Sequence, residues 1–350
     1  MKWIVRLALT LLAILSPVAA RAADGDSVIV AKWSNAEPPL DPASPAWLKL
    51  APAPVVLYPQ VSVPLSVPPA AAAEGVATLN VRALYDAKTL ALHLEWTAPK
   101  PAKNRGIGEF PDVAAVQWPV QYGPGMRLPY IGMGDPEQPV VLWFWRADGT
   151  VETLAAEGFG TLTAQTSDGV QAKGAWKDGQ WRVVFKRRLA ITGEYCAHFD
   201  PAKQGLTPVA LATWNGEAQE RNGRKRLSAW HALRFEKGRA DDAYVRRLAG
   251  APVQGDPENG RRLMTEKGCA GCHAFPGNPA QPAIGPTLTN AGGIHSTDYL
   301  FESLSDPSRV IVPGKKYSMV QDGKRLSLMP PFAGTDAERR DVVMFLKTLR

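Results

Sequence analysis

The sequence predicts a mainly β N-terminal domain, a β-sandwich, followed by an all-α C-terminal domain. Three observations support this division of the 350 residues. Short apolar stretches separated by turn sequences fill the first two thirds of the chain. Ten of the eleven Trp residues lie between Trp33 and Trp230, and none follows. The segment after residue 255 instead has apolar residues at helical spacing, as in Val342, Val343 and Leu346.

Four stretches with strand-like patterns and separating turns predict the strands of the sandwich. They are Leu90 to Trp96, Val140 to Trp145, Trp181 to Lys186 and Val209 to Trp214. Turn sequences such as Asp148-Gly149 separate them. We therefore expect an all-β sandwich at residues 23–238 and a linker rich in Gly, Asp, Pro and Ala at residues 239–255.

The first 22 residues predict an export signal. Lys2 and Arg6 form a positive start, an apolar run follows, and Ala20-Arg21-Ala22 gives a small-x-small cleavage pattern. The apolar run is too short for a membrane span, although an uncleaved anchor is the alternative. We expect the mature protein to begin near Ala23 in the periplasm.

The charge and the motif content exclude several classes of function. The formal net charge is +7, and Lys2, Arg6 and Arg21 contribute +3 of it, which leaves +4 for the mature chain. The basic run from Arg221 to Arg226 is typical of a solvated turn, so we expect no binding of nucleic acid. No P-loop, GxGxxG, HExxH or GxSxG motif is present, and we predict no catalytic residue.

The sequence Cys269-Ala270-Gly271-Cys272-His273 is typical of a c-type haem attachment site. Two thiols on one helical turn can bond both vinyl groups of a haem, and the adjacent His then ligates the iron. A redox CxxC would need a βαβ context, and a zinc site would need a second pair of ligands. The third cysteine, Cys196, is interpreted as a small buried apolar residue.

The second iron ligand of a haem c is expected downstream of the motif. Met329 precedes two prolines, which would hold its thioether in a stiff loop. Met319 lacks such a frame and is interpreted as a packing residue. His295 is the other alternative, and it is interpreted as a surface residue just before a helix. We therefore predict His273 and Met329 as the ligands.

Residues 256–350 resemble a class I cytochrome c along their whole length. A helix from Asn259 to Lys267 leads into the CAGCH sequence, and Gly285-Pro286-Thr287-Leu288 resembles the loop on the His side of the haem. Further helices are expected at Ser296 to Leu304 and Asp336 to Leu349. The resemblance implies that Pro286 takes part in binding the cofactor, with Cys269 and Cys272 attached to it.

Three sequences in the first two thirds resemble another family. They are residues 112–119 (DVAAVQWP), residues 132–148 (GMGD followed by PVVLWFWRAD) and residues 223–230 (GRKRLSAW). Together they resemble the haem b-binding γ subunit of periplasmic molybdenum enzymes of the type II dimethyl sulfoxide reductase group. The resemblance implies a β-sandwich that holds one haem b between Met133 and Lys225, with Met126 as the alternative to Met133.

The two resemblances together imply a periplasmic subunit with one haem b and one haem c. It would relay electrons between a molybdenum catalytic subunit with its iron–sulfur subunit and a soluble or membrane cytochrome, and would not itself be an enzyme. The alternatives are a carbohydrate- or ligand-binding sandwich tethered to a cytochrome c, a haem peroxidase, and an electron shuttle without a catalytic partner. A dihaem c peroxidase would need two CxxCH sequences, and one is present.

Overall fold

The computed structural model of the chain describes residues 28–60, 75–104, 106–165, 169–248, 254–278, 284–312 and 317–350. The export signal predicted at residues 1–22 lies outside these ranges. In the described part of the chain, no helix combines the length and the apolar character that a membrane crossing requires.

Strands dominate the chain up to residue 235, and helices dominate the rest. The strands are β1 (Val28–Trp33), β2 (Ala53–Pro59), β3 (Ala77–Tyr85), β4 (Thr89–Thr97), β5 (Val113–Pro119), β6 (Val140–Arg146), β7 (Val151–Ala156), β8 (Thr163–Gln165), β9 (Gln171–Lys177), β10 (Gln180–Arg188), β11 (Leu206–Trp214), β12 (Arg226–Leu227), β13 (His231–Phe235), β14 (Ser318–Gln321) and β15 (Lys324–Ser327). The helices are α1 (Pro45–Leu48), α2 (Asp242–Leu248), α3 (Pro257–Glu266), α4 (Ala291–Ile294), α5 (Thr297–Ser305) and α6 (Asp336–Thr348).

The first thirteen strands form two packed layers. The first layer has the order β2-β3-β4-β10-β9, and β1 lies in it between β3 and β13. The second layer has the order β8-β7-β6-β5-β11-β12. Strand β12 pairs with β2, and β13 pairs with β11, so hydrogen bonds join the two layers at two places. The result is a sandwich whose layers are continuous with each other.

The second layer is buried on both of its faces. In β5, Ala114, Val116 and Trp118 point between the layers, where they pack with residues such as Leu92 and Val183. The alternate residues of this layer belong to a separate apolar cluster on its other face, as the side chains of β5, β6 and β11 alternate in direction. They include Val113, Ala115, Val140, Leu142, Ala210 and Ala212. We call this surface the outer face of the second layer.

The helical domain is organised by the contact between α3 and α6. Asp256 caps α3 by accepting hydrogen bonds from the Glu258 and Asn259 backbone, and Thr335 starts α6 with a capping box that includes Glu338. Gly260 lies so close to the α6 backbone that a Cβ there would overlap a carbonyl group. The two helices therefore pack at the short distance that only a glycine permits.

The fold class predicted from sequence is confirmed: a mainly β domain is followed by a helical domain. The four predicted strands fall within β4, β6, β10 and β11, and the three predicted helices correspond to α3, α5 and α6. The hairpin of β14 and β15 was not predicted. The predicted linker, residues 239–255, contains α2, because Tyr244 and Leu248 share one helix face and pack against the sandwich.

Candidate haem-binding sites

A tight turn holds the two thiols of the CAGCH sequence. Gly268 has a φ of +80°, which allows the chain to leave α3 and enter a 3₁₀ turn at Cys269–Gly271. The backbone N–H groups of Cys272 and His273 both donate to the Cys269 carbonyl, at 3.1 and 3.0 Å. The two half-buried thiols and the imidazole are therefore held on one turn.

The imidazole of His273 is oriented by the loop that contains Pro286. Its Nδ1 lies 2.7 Å from the Pro286 carbonyl oxygen. Because a carbonyl can only accept, Nδ1 carries the proton and Nε2 keeps its lone pair, the form that ligates a metal. Gly285 is required here, since a Cβ on it would lie 2.7 Å from His273 Cε1. Burial lowers the pKa of His273, which favours the neutral, ligating imidazole.

His273 and Met329 line a common cavity of about 360 Å³. Met329 follows β15, and its backbone N–H donates to the Ser327 hydroxyl at 3.1 Å. Met319, the sequence alternative, lies on β14 with 46% of its surface exposed. Apolar side chains from all parts of the helical domain complete the walls, among them Met264, Leu288, Ile294, Leu300, Val310, Phe332 and Leu346.

The residues of this cavity fit a covalently attached haem. The volume of the cavity lies in the range of about 300–1,000 Å³ that is usual for ligand sites. The thiols of Cys269 and Cys272 line it together with an imidazole in the ligating tautomer and a thioether. A His/Met pair is a ligand set of electron-carrying cytochromes c. The chemistry of these side chains therefore fits a haem c.

On the outer face of the second layer, a loop holds Met133 in a left-handed conformation. Met133 is buried, with 6% of its surface exposed, and it has a φ of +75°. This left-handed backbone conformation is energetically unfavourable for a residue with a bulky side chain. Hydrogen bonds from Gly134 N to the Tyr130 carbonyl and from Gly158 N to the Met133 carbonyl, both of 2.8 Å, fix it there. Such strain is typical of functional sites.

An ion pair closes the Met133 loop. Arg127 donates two hydrogen bonds to the Asp135 carboxylate, of 2.9 and 2.8 Å, and the backbone N–H of Tyr130 donates to the same group at 3.0 Å. The loop is also tied to β5, since Gln117 Nε2 donates to the Ile131 carbonyl at 3.0 Å. The Met133 side chain is therefore positioned by a framework that is rigid on both sides.

Lys225 is buried on the same face, with 5% of its surface exposed. Among the described residues, no hydrogen bond or charged group contributes to its pKa shift, whose sole cause is desolvation. Its Nζ lies 5.1 Å from the centroid of the Trp214 ring and 5.6 Å from that of Phe159. Burial lowers the pKa of Lys225 to about 8. A buried lysine of this kind is expensive as a cation and is suited to act as a neutral amine ligand.

The ring of Phe159 lies near Lys225 and beside Gly132, the neighbour of Met133. Met133 and Trp214 belong to the apolar cluster of the outer face, and Phe159 packs against that cluster. A Cβ on Gly132 would lie 2.7 Å from Phe159 Cε2, so this ring also contacts the residue next to Met133. The two candidate donors are thus a thioether and a buried amine in apolar surroundings.

Comparisons with known proteins agree with this arrangement. A family model described as ethylbenzene dehydrogenase matches residues 44–170, and a cytochrome c model matches residues 257–350. A haem subunit assigned to respiratory nitrate reductase, ORF7 of Haloferax mediterranei, is 34% identical over 235 residues, which are 67% of this chain and 82% of that protein. The chain belongs to the ethylbenzene dehydrogenase family.

Other relatives place this family member among γ subunits. The chlorate reductase subunit gamma of Ideonella dechloratans is 35% identical over 56% of this chain and 80% of its own length. A family 9 carbohydrate-binding module of Caldicellulosiruptor kristjanssonii aligns with a TM-score of 0.36 at 11% identity, over 62% of this chain and 96% of that chain.

The two family models and the two haem-subunit relatives confirm the predicted resemblance to γ subunits fused to a cytochrome c. This resemblance supports a role in electron transfer.

The prediction that His295 lies on the surface was wrong. His295 is half-buried between the two domains, because α5 packs against the Met133 loop. Met126, the alternative to Met133, lines a separate cavity of about 120 Å³ at the domain boundary. Sequence reasoning also missed Phe159 and Asp135. Asp135 had a signal, its place in the GMGD sequence, whereas Phe159 had none.

The environment of the Trp residues bears on the alternative of a carbohydrate-binding sandwich, which would display aromatic side chains. All ten Trp residues from Trp33 to Trp230 are described, and each is buried or half-buried. Trp118, Trp143 and Trp181 lie between the layers, where at most 2% of each is exposed. None of these ten tryptophans therefore forms an exposed platform. Cys196 is buried as expected.

Proposed function

We propose that the chain is a periplasmic dihaem electron-transfer subunit. It relays electrons between a molybdenum and iron–sulfur oxidoreductase, whose catalytic and iron–sulfur subunits it binds, and an external soluble or membrane cytochrome. Residues 1–22 form the export signal, residues 23–238 the haem b domain, residues 239–255 the connection and residues 256–350 the haem c domain. The names of the relatives, a chlorate reductase γ subunit and a nitrate reductase haem subunit, support this assignment.

In the haem c domain, Cys269 and Cys272 bind the porphyrin covalently, and His273 and Met329 ligate the iron. Pro286 keeps the imidazole in the required tautomer by accepting its Nδ1 proton in a hydrogen bond. The mostly apolar walls of the cavity exclude water, which favours the less charged, reduced form of a haem. When bound, the group supplies reversible one-electron chemistry.

In the sandwich domain, Met133 and Lys225 ligate a non-covalent haem b. The thioether is a soft, neutral donor, and the amine binds once it has lost its proton. With Met133 and Lys225 as its two protein ligands, the haem would supply electron transfer and would not bind a substrate at its iron. The loop closed by Arg127 and Asp135 holds the thioether in place, while Trp214 and Phe159 keep the amine away from water.

The observation that carries the proposal is the buried amine of Lys225 beside the Met133 loop. A lysine without an acceptor among the described residues, and with its pKa lowered to about 8, has a large energetic cost in a sandwich of purely structural function. Iron ligation accounts for this cost, and it also accounts for the left-handed backbone at Met133. A carbohydrate-binding sandwich would explain neither feature.

Haem content tests the proposal. We expect one haem that acid-acetone extracts and one that it leaves attached per purified mature chain, measured by pyridine haemochrome spectra before and after extraction. Met133→Ala and Lys225→Ala should remove the extractable haem and leave the covalent haem at wild-type level.

Matched controls separate loss of a ligand from general damage. Met319→Ala removes an exposed thioether, and Lys173→Ala removes an exposed ammonium that pairs with Asp41, so both should keep the two haems. A wild-type chain that contains only the covalent haem, after maturation with ample haem, would contradict the proposal. That result would favour the ligand-binding sandwich tethered to a cytochrome c.

A further inference from the structure

The outer face of the second layer is shared between the two domains. Ile294 and Val310 of the helical domain belong to the same buried apolar cluster as Met133 and Leu227. Both Ile294 and Val310 also line the cavity of His273 and Met329. The two candidate haem sites therefore adjoin one shared cluster of packed apolar side chains.

Three aromatic rings cross this layer. Tyr130 stacks on His295 with ring centroids 5.9 Å apart, and His295 stacks on Tyr299 at 4.6 Å, with interplanar angles of 22° and 28°. Tyr130 and Tyr299 are 5.5 Å apart, so the rings form a closed group of three. Tyr130 belongs to the loop of Met133, whereas His295 and Tyr299 line the haem c cavity.

A second contact joins the two domains close to these rings. Gly293 packs directly on the Tyr58 ring, and a Cβ there would overlap it. Asn290 Nδ2 donates to the Pro59 carbonyl at 3.2 Å, which joins α4 to β2. The next residue of the chain, Gln60, donates its backbone N–H to the Lys225 carbonyl at 2.9 Å. Thus the segments that carry Met133 and Lys225 are both held against the wall of the haem c cavity.

The histidine in this group carries no charge at neutral pH. Burial lowers the pKa of His295 to about 3, and the ammonium of Lys347 acts in the same direction. Lys347 instead donates to the Gly292 and His295 carbonyls, at 2.9 and 3.1 Å, and so holds the end of α4. The rings therefore form a neutral, polarisable and closely packed medium.

We propose that the contact of Tyr130, His295 and Tyr299 is the route through which the site of Met133 and Lys225 exchanges single electrons with the cavity of His273. This inference rests on the proposed function. One electron leaves a ferrous iron in one site and reduces a ferric iron in the other. The rings keep their protons and their oxidation state, and no bond forms or breaks. The three rings serve as the medium of this transfer.

Flash reduction of the full chain loaded with both haems tests the route. A flavin radical produced by light supplies one electron, and the absorbance of the two haems is followed as the electron redistributes. We expect His295→Ala and Tyr299→Leu to slow this redistribution several-fold and His295→Phe, which keeps a ring, to restore most of the rate. Midpoint potentials and visible spectra of both haems, recorded for each variant, separate a change in driving force from a change in the route.

The control is Phe301→Leu, which truncates another aromatic side chain of α5. Phe301 packs within the helical domain, so the redistribution rate should not change. Wild-type rates in both His295→Ala and Tyr299→Leu, with both haems present, would overturn the route and leave the proposed function intact. If His295→Ala does not retain both haems, Tyr299→Leu decides the question. Absence of the extractable haem in the wild type would instead refute the proposed function.

Discussion

Around His273, the two thiols and the imidazole come from five consecutive residues, whereas Met133 and Lys225 come from segments that only the folded sheet brings together. The first site is fixed by a local turn and by the loop at Gly285 and Pro286, which lie close along the chain. The second depends on a left-handed residue, an ion pair and the burial of one lysine from a basic run. Nevertheless, both sites meet at the same interdomain layer.

The two sites differ in what holds the haem in place. A covalent haem tolerates a simple cavity, because its attachment does not depend on the precision of the walls. A non-covalent haem depends on ligands that are held in place before it binds, and such preorganisation has a cost in backbone strain and in the desolvation of an amine. Changes at the two sites should therefore have separable effects.

The largest expected effect comes from removing both thiols. In the double variant Cys269→Ala and Cys272→Ala, all of the covalent haem should be lost, since no bond to the porphyrin can form. The extractable haem of the sandwich should remain, because its ligands lie on another domain. Haem staining after denaturing electrophoresis, with acid-acetone extraction, measures both. Loss of the extractable haem from a folded variant would show that the sites are not independent.

The second largest effect is expected at the ion pair that closes the Met133 loop. Asp135→Ala leaves Arg127 without its two hydrogen bonds, which should lower the free energy of unfolding by on the order of 2–3 kcal/mol. The extractable haem should fall while the covalent haem stays constant.

Glu137→Ala is the matched control for Asp135→Ala. Glu137 is exposed and pairs with Arg127 at 3.6 Å and with the exposed Arg309 at 2.9 Å, so its loss should cost less than about 1 kcal/mol. Denaturant titration and haem quantification test both variants. Equal haem content in Asp135→Ala and the wild type would refute the role of the loop in positioning Met133.

A smaller effect is expected in the haem c cavity from Gly285→Ala. The new Cβ would lie 2.7 Å from His273 Cε1, so the imidazole must shift, at a cost of about 1–3 kcal/mol. We expect a lower midpoint potential and weaker ligation by Met329, visible in the absorption spectrum. Gly271→Ala is the control, because a Cβ at Gly271 meets no atom within 4 Å. Identical spectra for all three proteins would contradict the close approach of this loop.

The smallest effect is a pH dependence that should leave both haem sites unchanged. Burial and the nearby Arg82 lower the pKa of His93 from about 6.5 to about 4. The neutral form is favoured in the folded chain, so stability is complete above pH 6.5 and falls as the pH decreases toward 4. Protonation of His93 alone should lower the free energy of unfolding by about 2 kcal/mol between pH 7 and pH 5.

Thermal unfolding of His93→Gln measures this contribution. The variant should lose less stability on acidification than the wild type, and the exposed His198→Gln should behave as the wild type does. Neither substitution should change the haem content. If the stability of His93→Gln depends on pH as that of the wild type does, the lowered pKa of His93 is refuted. That result would not bear on either haem site.

The features that the sequence predicts are those that depend on adjacent residues. Alternation along β4 and turn sequences such as Asp178-Gly179 are properties of adjacent residues, and so is the CAGCH sequence. The burial of Lys225 is not, because its neighbours Arg224 and Arg226 are only half-buried and no pattern distinguishes the three. His295 was misassigned for the same reason: its surroundings come from the Met133 loop of the other domain.

Electron paramagnetic resonance of the oxidised full chain tests whether Met133 and Lys225 hold a second haem, because each low-spin ferric haem gives a signal that depends on its ligands. We expect two such signals. Lys225→Ala should abolish one of them and leave unchanged the signal of the haem held by His273 and Met329. A single signal in the wild-type chain, or two signals that both survive Lys225→Ala, would contradict the ligation of a second haem by Met133 and Lys225.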